Sequence, residues 1–205
     1  MKNNFELVSN AKGKNLRRAD GSLLFERWYK NIKIEDDYIL VQKKNGWWNL
    51  TNSGGMLISN QWLTEISPSV DGIRAIVAVN GCSNFVKSGK LLLDTWAYDA
   101  DTDWSEGCTS VQFEEYGLWY FIKDDGTFLF EQGFEDVWSF SCGWAAVKLE
   151  NGLFNYVDKN QKYMFDKPLF KIESFNSCIN KAYVTFEKDG EGCWIDTTGK
   201  IVPIS

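Results

Sequence analysis

The clearest structural pattern in the sequence lies between Gly117 and Gly152, which reads GLWYFIKDDGTFLFEQGFEDVWSFSCGWAAVKLENG. After the first glycine it contains an alternating aromatic stretch (119–122), an Asp125-Gly126 turn signal and a second apolar stretch (128–130). A third stretch, Ala145 to Leu149, alternates with period two. Alternation of this kind is typical of strands, and glycine accepts the positive φ that a tight turn requires. The segment therefore predicts a three-stranded antiparallel unit.

The same order of features recurs along the whole chain at a spacing of about 35 residues. Each copy starts with a glycine, and these are Gly13, Gly46, Gly81, Gly117, Gly152 and Gly190. We number the copies repeats 1 to 6 and place them at 13–45, 46–80, 81–116, 117–151, 152–189 and 190–205, the last completed by 1–12. The periodicity predicts a single repeat domain spanning residues 1–205.

The fold class follows from the strand pattern and from the two ends of the chain. No segment has the sustained i, i+3, i+4, i+7 apolar spacing of a helix, so we predict an all-β fold with almost no helix. In repeat 4, Ala145, Val147 and Leu149 are predicted to share a buried face while Lys148 faces outward. Residues 5–8 resemble the third strand of a missing preceding copy, and the final hairpin (190–203) lacks its own third strand. A closed or nearly closed β-propeller-like ring would pair these fragments, and an open β-solenoid is the alternative.

The Gly117–Gly152 unit resembles a WG-type repeat, also called a KWG repeat, of the kind found in bacteria and bacteriophages. That family follows a pattern of glycine, aromatic residue, "YID-x-x-G", an apolar strand and an "F-x-x-G-x-A-x-V" strand. The resemblance covers nearly the whole chain, although Trp and Gly are not adjacent in the usual register and repeats 1 and 3 are degenerate. It implies a β-repeat fold and no particular activity, since most members have none assigned.

Composition excludes several classes of function. The chain is 44% apolar and 16% aromatic, has a net charge of −6, and has a pI near 4.8. An acidic surface disfavours long nucleic acids and anionic membranes, because both carry phosphate charge. The N-terminal residues have no leader pattern, and no apolar run is long enough to span a bilayer. The five cysteines are odd in number and widely spaced, so we expect reduced, mostly buried thiols and a cytoplasmic location.

The absence of histidine removes the commonest general base and the commonest metal ligand. Ser-His-Asp and Cys-His nucleophile systems are therefore excluded, and neither a phosphate-binding loop nor a G-x-G-x-x-G motif is present. These absences predict a non-enzymatic protein without a cofactor. A glycan-active enzyme built on carboxylates alone is the remaining enzymatic alternative.

Two groups of side chains are candidates for ligand binding. Trp28, Trp62 and Trp96 lie at the same place in their copies, seven residues beyond the turn glycine. They could stack on sugars, nucleobases or proline-rich peptides, or they could fill gaps between packed sheets. The arginines Arg17, Arg18 and Arg27 could bind a phosphate or carboxylate, or they could mark a solvent-facing cap of the array.

A weak metal candidate lies in repeat 3. Asp99, Asp101 and Asp103 occupy alternate positions of one loop, and carboxylates spaced in this way can converge on Ca²⁺. The loop departs from the EF-hand pattern, because Trp104 replaces the glycine at position 6 and Ser110 replaces the glutamate at position 12. A solvated acidic loop is the alternative.

The sequence as a whole predicts a binding module or scaffold that holds a protein partner on a β-repeat surface. A small-molecule binder, with a nucleotide or sugar as ligand, is the alternative. The phage resemblance suggests one form of it, a sponge that sequesters a nucleotide immune signal by stacking bases on tryptophan and pairing phosphates with arginine. Neither reading identifies the partner or ligand.

Overall fold

A computed structural model describes residues 5–35 and 38–203. In these ranges the protein consists of antiparallel strands, turns and connecting segments, without helix, so the all-β prediction is confirmed. Accordingly, no helix in the described ranges is long and apolar enough to cross a membrane. The chain divides into two compact units, Met1–Trp96 and Ala97–Ser205, with the boundary inside repeat 3. The single domain and the closed ring stay predictions.

Unit 1 contains a two-stranded sheet, β1-β2, and a seven-stranded sheet in the order β3 to β9. Strands β5 and β6 are joined by one residue pair, Trp48 with Leu63, so the larger sheet splays apart at that point. The strands are β1 Glu6–Asn10, β2 Gly13–Arg17, β3 Asn31–Ile34, β4 Ile39–Gln42, β5 Trp48–Thr51, β6 Leu63–Ile66, β7 Ile73–Ala78, β8 Ser83–Lys87 and β9 Lys90–Leu91.

Unit 2 contains three sheets, ordered β10-β11-β12, β13-β14-β15 and β16-β17-β18-β19. Each sheet combines the end of one repeat with the beginning of the next. The strands are β10 Asp99–Ala100, β11 Cys108–Gln112, β12 Trp119–Lys123, β13 Asp136–Val137, β14 Trp144–Lys148, β15 Phe154–Asp158, β16 Lys171–Ile172, β17 Lys181–Thr185, β18 Cys193–Asp196 and β19 Ile201–Val202.

The strand assignment within each repeat differs from the prediction. The second apolar segment is a strand only as β9 and β19; elsewhere it makes isolated bridges, such as Arg17 with Leu23 and Ile122 with Phe128. A short strand that was not predicted precedes each third strand instead, and these are β3, β6, β10, β13 and β16. In four repeats, repeat 3 among them, a buried side-chain amide also hydrogen-bonds the backbone of the second segment.

Asn49 shows how these amides work. Its side chain is fully buried, and its Nδ2 donates to the carbonyls of Ser59 at 3.0 Å and Gln61 at 2.8 Å. Its Oδ1 accepts the backbone N–H of Leu50 at 2.8 Å. One amide thus fastens the first strand of the repeat to a segment ten to twelve residues later. We call this arrangement the asparagine latch; Asn15, Asn84 and Asn155 form it in repeats 1, 3 and 5.

Repeats 4 and 6 carry other residues in the register of the latch. Tyr120 pairs with Val111 as Asn155 pairs with Val147, and Cys193 pairs with Val184 in the last sheet. The Tyr120 ring lies 6.3 Å from the ring of Phe113 and 5.5 Å from that of Phe128. Because a Cβ on Gly133 would come within 2.9 Å of the Tyr120 ring, only glycine fits there without movement.

The core consists of clusters that share strands. In β4, Ile39 and Val41 pack into a cluster with Leu16, Phe25 and Tyr29, whereas Leu40 packs into a second cluster with Leu50, Leu63 and Ile76. In β14, Ala145 and Val147 likewise belong to one cluster and Ala146 to another. The prediction that β14 buries a single face was wrong, since Ala146 is 1% exposed. Consecutive sheets pack on both faces of the strand, which requires two buried sides.

Side chains also tie the start of a third strand to the turn two repeats later. The Tyr38 hydroxyl accepts the N–H of Gly89 at 3.3 Å in unit 1, and Trp144 Nε1 donates to the Thr197 carbonyl at 3.0 Å in unit 2. All five cysteines are free; Cys108 is buried and Cys178 is exposed, so the expected burial of the thiols holds only in part.

The latch predicts a large effect of Asn49→Ala on stability. The substitution leaves the buried Ser59 carbonyl, the half-buried Gln61 carbonyl and the buried Leu50 N–H without their partner, and each buried group costs about 1–3 kcal/mol. We expect the free energy of unfolding in urea to fall by about 2–4 kcal/mol. Asn45→Ala is the control, because Asn45 is exposed and accepts one 3.3 Å hydrogen bond. Equal losses in the two variants would contradict a special role for the latch.

The turn aspartates predict a pH dependence of stability. Asp20, Asp125 and Asp196 each accept a side-chain hydroxyl and a backbone N–H from the residue two positions later, and these hydrogen bonds hold the pKa of each carboxyl below its usual value. A lowered folded-state pKa means that the stabilisation is present above the unfolded value, about 3.8, and is lost as pH falls through the folded value. Replacing all three with Asn, which cannot titrate and which already stands at the position of Asp196 in the turn of repeat 2 as Asn52, should flatten the stability curve between about pH 5 and 2. Urea denaturation at each pH measures the slope, and an unchanged slope would refute the assignment.

Candidate functional site

A groove of about 630 Å³ opens in unit 1 where the sheet splays between β5 and β6. One wall comes from β3, β4 and β5, and the other from β6, the segment after it, and β7. Several lining side chains, including Lys33, Thr64 and Glu65, are exposed, so the groove is accessible from solvent. The lining residues are Lys33, Glu35, Leu40, Trp48, Thr64, Glu65, Ile66, Ser67, Pro68, Ser69 and Arg74.

An aromatic ring and an ammonium group meet in this groove. Lys33 Nζ lies 5.2 Å from the centroid of the Trp48 ring, within the range of a cation–π interaction. Trp48 is the first residue of β5 and directly precedes the latch residue Asn49. The latch therefore fixes the strand that presents the indole ring to the groove.

Arg74 lines the groove and contacts both of its walls. Its side chain is 13% exposed; its Nη2 lies 2.5 Å from Glu35 Oε2, and its Nη1 donates to the Ser67 carbonyl at 3.0 Å. The guanidinium also lies over the Tyr38 ring, 5.7 Å from its centroid. Arg74 Nε is buried and has no hydrogen-bond partner within the described ranges. These contacts tie β7 to the end of β3, so Arg74 is committed to holding the groove walls together.

The predicted tryptophans occupy a different place. Trp62 packs against the cluster around Leu16 and Val41, with Lys43 Nζ 3.8 Å from its ring centroid. Trp96 packs against the next cluster, around Leu50 and Ile76. Both therefore fill space against the core clusters of preceding strands, in line with the packing alternative. Trp28 is half-buried and does not line the groove.

The predicted arginines also lie outside the groove. Arg17 Nη1 forms an exposed ion pair with Glu6 at 3.1 Å. Arg18 donates to the Leu23 carbonyl at 2.8 Å and reaches the Gly54 carbonyl in the next repeat at 3.5 Å. Arg27 is exposed, and its backbone carbonyl accepts one bond from the latch residue Asn15. The structure does not bring these three guanidinium groups together with Trp28, Trp62 and Trp96 in that groove.

The aspartates of repeat 3 engage separate partners. Asp99 Oδ1 accepts the N–H of Ala100, and Asp101 accepts the N–H of Asp103 and the hydroxyl of Ser139. Within residues 5–35 and 38–203, no group of three His, Cys, Asp or Glu side chains is arranged to hold a metal ion. The spacing suggested a calcium site, but Asp101 is used to join two repeats of unit 2.

A second groove, of about 310 Å³, lies at the equivalent position in unit 2. The register shows the equivalence: Trp48 pairs with Gln42 and Phe154 with Lys148, so the two rings occupy the same place. By the same register Trp138 replaces Lys33. The lining residues are Trp138, Phe154, Lys171, Ile172, Glu173, Tyr183 and Thr185.

Sequence reasoning missed Trp48 and Phe154, although a signal was present. Each is an aromatic residue directly before a latch asparagine, in Trp48-Asn49 and Phe154-Asn155. Like Trp62 and Trp96, both residues also pack against core clusters. What distinguishes Trp48 and Phe154 is that they line the two grooves.

Comparison with known proteins found similarity only to solved structures, and only at low sequence identity. No protein-family model matches the chain, and no curated protein matches it. Solved structures match at low similarity. They include the computationally designed Ika8 protein (14% identity, 98% of this chain and 71% of that chain, TM-score 0.41), the WD40 β-propeller domain of Doa1 (12%, 92% and 77%, 0.31) and BamB from Moraxella catarrhalis (11%, 97% and 69%, 0.38). All three TM-scores lie below 0.5.

The packing of Trp62 predicts a structural effect of its removal. Trp62→Ala deletes a large ring that contacts the first core cluster and Tyr29, so we expect a loss of about 2–4 kcal/mol in the free energy of unfolding. Trp47→Ala is the control, because Trp47 is 38% exposed and should cost less than about 1 kcal/mol. Urea denaturation measures both. If the Trp62→Ala protein is as stable as the wild type, Trp62 does not serve core packing, and ligand binding becomes the better explanation of its position.

Proposed function

We propose that this chain is a non-enzymatic binding module that holds a protein partner on its β-repeat surface. The observation that supports this is the recurrence of one open groove at equivalent positions, between repeats 1 and 2 and between repeats 4 and 5. In each groove an aromatic ring, Trp48 or Phe154, lies among exposed charged side chains. Aromatic anchors in a polar rim are typical of protein–protein interfaces.

The charges of the grooves favour polypeptide side chains over one compact ligand. Lys33 and Glu65 line the first groove with opposite charges, and Lys171 and Glu173 do so in the second. All four are exposed, whereas small-molecule sites usually enclose most of the ligand surface. A partner with its own mixture of charged and apolar side chains complements such a surface.

The lining carboxylates do not favour hydrolysis of glycans. Carboxylate-based glycosidases need two carboxyl groups that both act on the substrate. In the first groove the lining carboxylates are Glu35 and Glu65, and Glu35 is held in the ion pair with Arg74. We therefore retain the non-enzymatic assignment for this groove.

A small-molecule binder is the second candidate, and the size of the first groove favours it. A volume of about 630 Å³ lies within the range of ligand pockets, about 300–1,000 Å³, and the Trp48 ring offers a surface for stacking a nucleobase or sugar. Sequestration of a nucleotide immune signal would be one use of such a site. Arg74 lines the groove but is not free to bind such a ligand, because its guanidinium is engaged by Glu35 and Ser67.

Capture from a host-cell lysate tests the leading proposal. Immobilised wild-type protein is compared with Trp48→Ala and Lys33→Glu, with Trp47→Ala as a matched control outside the groove lining. Loss of an aromatic anchor worth about 2 kcal/mol should lower recovery of a specific partner roughly thirtyfold, measured by quantitative mass spectrometry. Thermal denaturation checks that each variant folds. Recovery that is equal in all four proteins, or absent from all, would overturn the groove as the partner site.

A thermal-shift screen against nucleotides, cyclic nucleotides and sugars separates the two candidates. A ligand at 100 times its Kd adds about 2.7 kcal/mol to the folded state, which moves the midpoint by several degrees. The leading proposal predicts no shift with these compounds. A shift that disappears in Trp48→Ala would instead establish the small-molecule reading.

A further inference from the structure

The groove of unit 2 is lined by rings from three different strands or strand ends. Trp138 and Phe154 meet at a centroid separation of 6.0 Å and an interplanar angle of 61°, so the two rings present surfaces in different directions. Tyr183 supplies the third ring and is held by Trp194, whose ring centroid is 5.5 Å away. A Cβ on Gly192 would lie 2.3 Å from Tyr183, so glycine makes room for that ring. The rings are thus positioned by the fold.

Two charged side chains, Glu173 and Lys171, also line this groove. The Glu173 side chain is exposed, and the backbone carbonyl of the same residue accepts the hydroxyl of the buried Tyr156. That hydrogen bond anchors the backbone of Glu173, the residue that directly follows β16. Lys171 lies two residues earlier and also lines the groove. The groove therefore combines three rings, one carboxylate and one ammonium group.

The equivalent groove of unit 1 shows what the aromatic position can bind. There the ammonium of Lys33 lies 5.2 Å from the Trp48 ring, so the protein supplies its own cation to that ring. In unit 2 Phe154 replaces Trp48 and Trp138 replaces Lys33. The substitution removes the built-in ammonium at this position and adds a second ring in its place.

We propose that the groove of Trp138, Phe154, Tyr183 and Glu173 binds an alkylated ammonium group, presented by the partner polypeptide as a methylated lysine side chain. The negative faces of the rings attract the cation, and Glu173 supplies a full countercharge. Methyl groups favour this site over a bare ammonium, because a bare ammonium is strongly hydrated and costs more to transfer against aromatic carbon. The net charge of −6 favours the approach of a basic segment. The identity of the presenting molecule rests on the proposed function; the chemistry of the groove does not.

Lys171 gives the proposal a test with a definite sign. Its ammonium repels a bound cation, while the carboxylate of Glu173 attracts it. Neutralising the two residues should therefore change affinity in opposite directions: Glu173→Gln weakens binding and Lys171→Gln strengthens it, each by about twofold to fivefold at low salt. A groove that binds through apolar area alone would respond to neither substitution.

The experiment is calorimetric titration of the full chain with three probes at matched ionic strength. They are choline, its neutral isostere 3,3-dimethylbutan-1-ol, and an N-acetylated trimethyllysine amide. We expect both cations to bind and the isostere to bind at least about fivefold more weakly, since it has the shape without the charge. Trp138→Leu should reduce cation binding about tenfold, while Trp47→Ala in unit 1 should leave it unchanged. Chemical denaturation confirms folding of each variant.

Several outcomes would overturn the proposal. Equal binding of choline and the isostere would show an apolar groove without cation preference. Cation binding that survives both Trp138→Leu and Glu173→Gln would place the site elsewhere. Binding of choline without the trimethyllysine compound would assign the groove to a free small molecule and reject the lysine side chain. Lysate capture is a separate readout: if it fails while the cations bind as expected, only the proposed protein-binding function is lost.

Discussion

The buried asparagine amide is the interaction on which each latched repeat depends. A backbone segment that neither continues a strand nor reaches solvent must find hydrogen-bond partners inside the protein. Asn49 meets this need with a single side chain, donating to two carbonyls and accepting one N–H. The latch thereby connects the first strand to the segment that leads to the short strand β6, and the groove beside Trp48 lies where β5 and β6 diverge.

The same constraint decides where the protein can vary. Strands β4 and β14 bury both faces, each contributing alternate residues to two different clusters, so their side chains are fixed by packing on two sides. The latch residue is fixed by its hydrogen bonds. The short strand is different, because it pairs mainly with the third strand and keeps exposed positions. Lys33 and Trp138, at one such position in the two grooves, differ completely in chemistry while the surrounding sheets keep the same register.

Much of the fold could be predicted because its signals are local. Period-two alternation and the turn glycines at Gly89 and Gly126 identified the first and third strands, and the spacing of the glycines identified the repeats. The short strands were missed since β10, β13 and β16 have two residues each, too few for any alternation to show. Burial of Ala146 was missed for another reason: it depends on a neighbouring sheet from a different repeat. The candidate site was missed because the groove exists only where neighbouring strands diverge, and no pattern in the sequence predicts that divergence.

The tryptophans illustrate why side-chain identity is a poor guide to sites in such a protein. Trp62 and Trp96 belong to a visible series, and a series is what a repeated core requires, since each inter-sheet space must be filled in the same way. A binding residue has no such reason to recur unchanged. Trp48 and Phe154 keep only aromatic character, and their neighbours change from an ammonium in one groove to an indole in the other. The proposed site combines an unchanged strand register with altered side-chain chemistry, and that combination becomes visible only when equivalent positions are compared through the register.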